Sequence, residues 1–328
     1  MRTLRTITSV CLPILLLAAC HGKKEEPQPD NNAVVHIDAG IEGLSNRSQV
    51  NETTGIGSFE SGKDIWGLYA YVGNDAKLVN EAYTYGKTIL YWNDLSAEAE
   101  VAFYAHFPKQ RIISPESYNF DAAGAGNGNR QNADLLFASA KGRKEANSSN
   151  NPLNLRFRHL MHQLVVEIDY SEAEGIPLTI ELLNMKSTVP VDLLLGYVDL
   201  ESASGNTEYE VFTLDSSSRA IFYVAPQNVV AGTGWMKITF DNGDEYVYNV
   251  PQSLNDGTPL NALNSGMRLA LTLVLKKTET GSKEVELASS EISGWGDQGA
   301  VDSDVDSQLS GWQTINGDEL NLGNNINK

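Results

Sequence analysis

Cysteine is almost missing from this chain: 328 residues contain two, Cys11 and Cys20. Both fall within the first 20 positions, so the remainder can form no disulfide and offers no thiol nucleophile or thiolate metal ligand. Basic charge is also scarce, with 24 Lys and Arg against 42 Asp and Glu and a net charge of −18. Such a surface repels phosphate backbones and anionic headgroups, which excludes nucleic acid as a partner. Beyond Cys20 no apolar run approaches the roughly 18 residues of a membrane helix. Apolar spacing of 3.6 residues is never sustained over three turns, and the best helical stretch is only Ser96–Glu100. Neither a Gly-x-Ser-x-Gly elbow nor a phosphate-cradling Gly-Lys-Ser/Thr loop occurs. The expectation is a non-enzymatic protein with no catalytic residues, no metal and no cofactor.

What is present begins at the N-terminus. Arg2 and Arg5 precede an apolar stretch from Ile7 to Ala19, interrupted by Pro13, and Leu17-Ala18-Ala19-Cys20 closes it. This is the layout of a bacterial lipoprotein signal, with cleavage between Ala19 and Cys20 and acylation of the Cys20 thiol. Residues 1–19 are then the signal peptide, and the mature chain begins lipid-anchored outside the cytoplasm. Removing the signal leaves 22 basic against 42 acidic residues, a balance of −20. His21–Asn32 is polar, charged and proline-bearing, so residues 20–32 read as a flexible tether.

From residue 33 onward the dominant period is two. Val35, Ile37, Ala39 and Ile41 alternate with polar residues or glycine; Val101, Phe103, Ala105 and Phe107 do the same, as do Leu164, Val166 and Ile168, and Leu269, Leu271, Leu273 and Leu275. These are strands with one buried face, separated by Gly, Asn, Asp and Pro, which predicts an all-β chain of one or two sandwiches. Gly124–Asn132 and Lys141–Asn151 read as exposed loops. The second places a boundary between an N-terminal sandwich over 33–150 and a C-terminal one over 151–328.

Candidate ligand sites are thin. His159 and His162 are three apart, a metal spacing on a helix, but in a strand they face opposite sides. Asp302, Asp304 and Asp306 open like a calcium loop, which then fails at Ser307 and Gln313. Trp295 and Trp312 could stack on sugars, giving an alternative reading as a permanently anchored glycan-binding surface lipoprotein.

Several segments taken in order resemble the fimbrillin, or Mfa-like, family of pilus-subunit lipoproteins. They are Ser61-Gly62-Lys63-Asp64-Ile65-Trp66-Gly67-Leu68-Tyr69, Val101–Pro108, Ala133–Ala138 and Leu155–Leu164, followed by Val224-Ala225-Pro226-Gln227 and Ile292-Ser293-Gly294-Trp295. The resemblance implies two tandem transthyretin-like antiparallel β-sandwich domains. It also implies export as an outer-membrane lipoprotein, then removal of the lipidated segment with its first strand by an arginine-specific protease. A strand from a neighbouring fimbrial subunit fills the vacated groove, and the assembled fimbrium adheres to host or bacterial surface receptors. Ala33–Leu44 has the composition of the strand removed, and Arg47–Ser48 is the candidate processing site in a polar loop. The residues after Gly296, running to Lys328, depart from the family pattern and are a candidate donor strand.

Overall fold

The computed structural model describes residues 34–42, 59–112, 114–214 and 218–295. In its first half the strands are β1 (Ile37–Ile41), β2 (Ile65–Val72), β3 (Asp75–Thr84), β4 (Val101–Phe107), β5 (Tyr118–Asp121), β6 (Leu136–Gly142) and β7 (Leu153–His159). The middle of the chain supplies β8 (His162–Glu172), β9 (Pro177–Leu182), β10 (Thr188–Asp192), β11 (Tyr197–Val198), β12 (Phe212–Thr213) and β13 (Arg219–Val224). The last are β14 (Gln227–Asn228), β15 (Gly234–Phe240), β16 (Glu245–Asn249), β17 (Ala262–Leu263), β18 (Met267–Lys277) and β19 (Lys283–Gly294). The fold is an all-β sandwich with two hydrophobic cores, and the expected alternation is what builds them.

The first core lies against a six-stranded sheet ordered β1-β7-β6-β4-β2-β3. Val101, Phe103 and Ala105 from β4 face it together with Trp66, Leu68, Leu155 and Phe157. The second core is enclosed by the sheets β12-β9-β15-β16 and β13-β8-β18-β19. Leu164, Val166 and Ile168 enter it from β8, and Leu269, Leu271, Leu273 and Leu275 from β18. A three-stranded sheet, β11-β10-β5, carries Phe120, Val189, Val191 and Val198 into the same second core. Its β10–β11 turn rests on the first sheet. At Gly196, whose φ is +65°, a Cβ would meet the Phe137 ring at 2.3 Å and the Arg158 guanidinium at 2.4 Å, so only glycine fits.

Three features differ from the sequence reading. Hydrogen bonding carries the first sheet past residue 150, because β7 pairs with β6 at its end and with β1 along its length. The short helix α1 spans Trp92–Leu95 rather than Ser96–Glu100, since Trp92 and Leu95 are the buried residues three apart and Ser96 is already extended. Among the described residues two strand pairs are parallel, β1 with β7 and β18 with β8, and the other pairings are antiparallel.

His159 ends β7 and His162 begins β8, so the pair straddles the passage from one core to the other. Leu160 and Met161 between them are fully buried, and Leu160 N–H donates to the Leu135 carbonyl at 2.8 Å. The resembling segment Leu155–Leu164 is thus a nearly continuous strand that threads both cores.

Candidate strand-docking site

β1 is the edge strand of the first sheet and joins it only through β7, with Ile37 opposite Leu153 and Ile41 opposite Phe157. Its alternation explains the seat. Val35 and Ile41 are buried in the first core, and Ile37 and Ala39 pack against it. The intervening side chains face outward, where Arg156 bonds the Asp38 carboxylate at 2.7 Å with both groups about half exposed. Burying an aliphatic side chain of this size contributes about 1.5–3 kcal/mol, so Val35 and Ile41 are the main apolar anchors.

The start of β1 is held from two sides. Val35 N–H donates to the Leu90 carbonyl at 2.8 Å, and Val34 bridges Tyr91. On the other side Leu153 N–H donates to the His36 carbonyl at 2.8 Å. Glu42 N–H closes the far end on the Phe157 carbonyl at 2.6 Å. Beneath the strand, Phe59 packs edge-on against Phe157 and Trp66, with ring centroids at 4.7 and 4.9 Å. Taking β1 away would bare one row of β7 peptide groups and two apolar pockets, a surface complementary to any strand with alternating apolar residues.

Sequence reading missed the residues that hold the start of this strand, Asn147 first among them. Asn147 falls in Lys141–Asn151, expected to be an exposed loop, yet it is only 9% exposed. Its Oδ1 accepts from His36 N–H at 2.8 Å and from Trp92 Nε1 at 3.2 Å, while its Nδ2 donates to the His36 carbonyl at 2.9 Å. Nothing in a run of polar residues separates a buried amide from a solvated one. Trp92 and the Leu90–Tyr91 wall were equally unsignalled.

Other candidate residues are not brought together. Cys20, Arg47, Ser48, the acidic cluster at Asp302–Asp306, Trp312 and the segment after Gly296 lie outside the described residues. His159 Nδ1 bonds both oxygens of buried Asp134, at 2.9 and 3.0 Å, and its ring stacks on Trp295 at 3.9 Å. His162 Nδ1 instead donates to the Asn264 carbonyl at 2.9 Å. Among the described residues no three His, Cys, Asp or Glu side chains converge as a metal set. Trp295 is 6% exposed and packs on His159 and Tyr223, so it offers no open face to a sugar.

The motif residues have local physical reasons. At Gly67 a Cβ would fall 1.9 Å from the His106 ring, so the strand can pass there only as glycine. Gln227 of the Val-Ala-Pro-Gln segment is buried and imitates a strand: its Oε1 accepts from Lys186 N–H at 2.8 Å and its Nε2 donates to the Lys186 carbonyl at 2.9 Å.

Residues 45–295 match the sequence profile of the family described as fimbrillin-like. In fold the chain is similar to a Bacteroides uniformis protein ascribed to cell adhesion, at a TM-score of 0.54 and 16% identity, over 82% of this chain and 100% of that one. A second protein so ascribed, from Bacteroides ovatus, is similar at a TM-score of 0.54 and 16% identity, over 81% of this chain and 100% of that one. No curated protein matches in sequence.

Proposed function

The chain belongs to the fimbrillin-like family, and from that premise we propose that it is a structural and adhesive fimbrial subunit that polymerises by exchange of β1. In this reading Cys20 carries the lipid that holds the exported chain at the outer membrane. Cleavage between Arg47 and Ser48 releases the lipid, the tether and β1 together. A strand of another fimbrial subunit then occupies the vacated edge of β7, and the segment after Gly296 is the strand this chain offers in turn. The finished fimbrium meets receptors on host or bacterial surfaces.

The observation that carries the proposal is the seat of β1. A strand paired on one side only, with alternate side chains in the core and Arg47 in the connection that follows, can leave after a single cut without dividing either core. The family match from residue 45 to 295 spans the receiving body and omits both β1 and the segment after Trp295, the two pieces that the exchange requires. Burial and hydrogen bonding both favour refilling the groove, since an empty one leaves peptide groups and apolar pockets facing water.

The test is limited trypsin treatment of the full-length protein, with N-terminal sequencing and unboiled gels. Ser48 as the first new N-terminus, followed by heat-resistant ladders, is the expected result. Complete trimming that yields only monomers would overturn polymerisation by exchange, and a first cut elsewhere with Ser48 never appearing would overturn the assigned site.

A further inference from the structure

We propose that Asn147 sets the register of whatever strand occupies the groove, by reading the backbone N–H and C=O of one residue and no side chain. The site carries its own orientation signal. Trp92 Nε1 can only donate, and it points at the Asn147 amide from a fully buried position, so the amide must turn Oδ1 toward it. That leaves Oδ1 facing His36 N–H and Nδ2 facing the His36 carbonyl. The pair of bonds reproduces what β7 would supply at that single residue, one position before its ladder with β1 begins at Ile37 and Leu153. Leu153 N–H donates to the same carbonyl, so Asn147 and the first residue of β7 together hold both backbone groups of His36 along one edge.

Two consequences follow for the occupant. Its residue at the His36 position must have an N–H, which excludes proline there and leaves the side chain free. Its apolar residues must then fall one before that position, one after it and five after it, as Val35, Ile37 and Ile41 do. Slipping by one residue would present the outward set to the core. Extended to a second copy of this chain, the rule rests on the exchange proposed above and selects one register. Leu320, Leu322 and Ile326 repeat the spacing of Val35, Ile37 and Ile41, and place Asn321 at Asn147.

The test uses the intact full-length chain and hydrogen exchange of Ile37–Ile41 by mass spectrometry. Asn147→Leu, which keeps the volume and loses the amide, and His36→Pro should each speed exchange about tenfold or more, while His36→Ala leaves it within about twofold. The double variant Asn147→Leu/His36→Pro should be little faster than His36→Pro alone, a non-additivity that a merely structural asparagine would not produce. Unchanged exchange in Asn147→Leu, additive effects, or His36→Ala as damaging as His36→Pro would overturn the proposal. Adding a synthetic peptide of residues 318–328 during trypsin trimming separates the two readings. Uptake of the Asn321→Ala peptide and loss of the Asn321→Pro peptide support the Asn147 rule in trans, whereas equal uptake of both overturns it. If no peptide is taken up but the intact-chain variants behave as stated, strand exchange with this segment fails and the register role of Asn147 on β1 stands.

Discussion

Among the described residues β1 and β18 each have one parallel partner, β1 on β7 and β18 on β8, and β7 and β8 are successive stretches of one buried segment. β18 is interior: it has β8 on one side and β19 on the other, and Leu269, Leu271, Leu273 and Leu275 are all at most 2% exposed. β1 has a neighbouring strand on one side only, five paired residues, and two buried anchors. Direction of pairing therefore says little about how firmly a strand is held. What separates the two is the number of sides bonded and the number of side chains committed to a core. Withdrawing β18 would split a sheet and empty the second core, while withdrawing β1 exposes one edge and leaves the remaining five strands of its sheet joined.

The largest expected effect tests the firm half of that contrast. Leu273→Ala removes a fully buried side chain from β18 and should destabilise the protein by about 2–5 kcal/mol, read as a lowered denaturant midpoint. A loss below about 1 kcal/mol would mean that β18 is no better anchored than an edge strand.

Acid should attack the two cores through separate histidines. Burial pushes His106 on β4 down to about 3, helped by nearby Lys109, and pushes His162 on β8 down to about 4 against the opposing bond to the Asn264 carbonyl. In the unfolded chain each would titrate near the ordinary 6.5, so as pH falls the unfolded state binds protons first. Stability from these neutral histidines is thus complete above about pH 6.5 and is lost through about pH 4 for His162 and about pH 3 for His106, with losses on the order of 3 and 5 kcal/mol. His162→Gln should flatten the acid limb of a stability–pH profile above pH 4; an unchanged limb would show that His162 is charged in the folded protein.

The firm half was also the legible half. Period-two runs such as Leu269–Leu275 and Val101–Phe107 signal their buried faces directly, because side-chain direction in a strand depends only on parity. The seat of β1 was legible to the same extent, as alternating apolar residues. What held its start was not, because Asn147 and Trp92 act through contacts with residues more than fifty positions away in the sequence, and amide composition looks the same whether solvated or buried. The parallel direction of β1 also left no local trace, since the same alternation fits either direction. The boundary at residue 150 followed a polar loop, but the sheet continues across it to His159 because Leu153, Leu155 and Phe157 belong to the first core.

A smaller effect probes the detachable half. Ile41→Ala should weaken the seat of β1 by about 1–3 kcal/mol, seen as faster hydrogen exchange confined to Ile37–Ile41. The global unfolding midpoint should move much less than it does for Leu273→Ala. A midpoint shift as large as that one would mean that β1 and the body unfold as one unit, which would remove the physical basis for its release.

The smallest effect concerns the outward side of the same strand. Arg156 reaches Asp38 across the β1–β7 ladder at 2.7 Å, but both side chains are about half exposed, and water and salt compete for each. Exposed pairs of this kind contribute about 0–1 kcal/mol, less than either apolar anchor. Arg156→Ala should therefore change exchange of Ile37–Ile41 by less than about fivefold in low salt, and adding salt should erase the difference from wild type. A large, salt-insensitive change would instead place the hold on β1 in its charged face. The occupant of the groove would then be chosen by an acidic residue at the Asp38 position rather than by the apolar spacing and the backbone groups that meet Asn147.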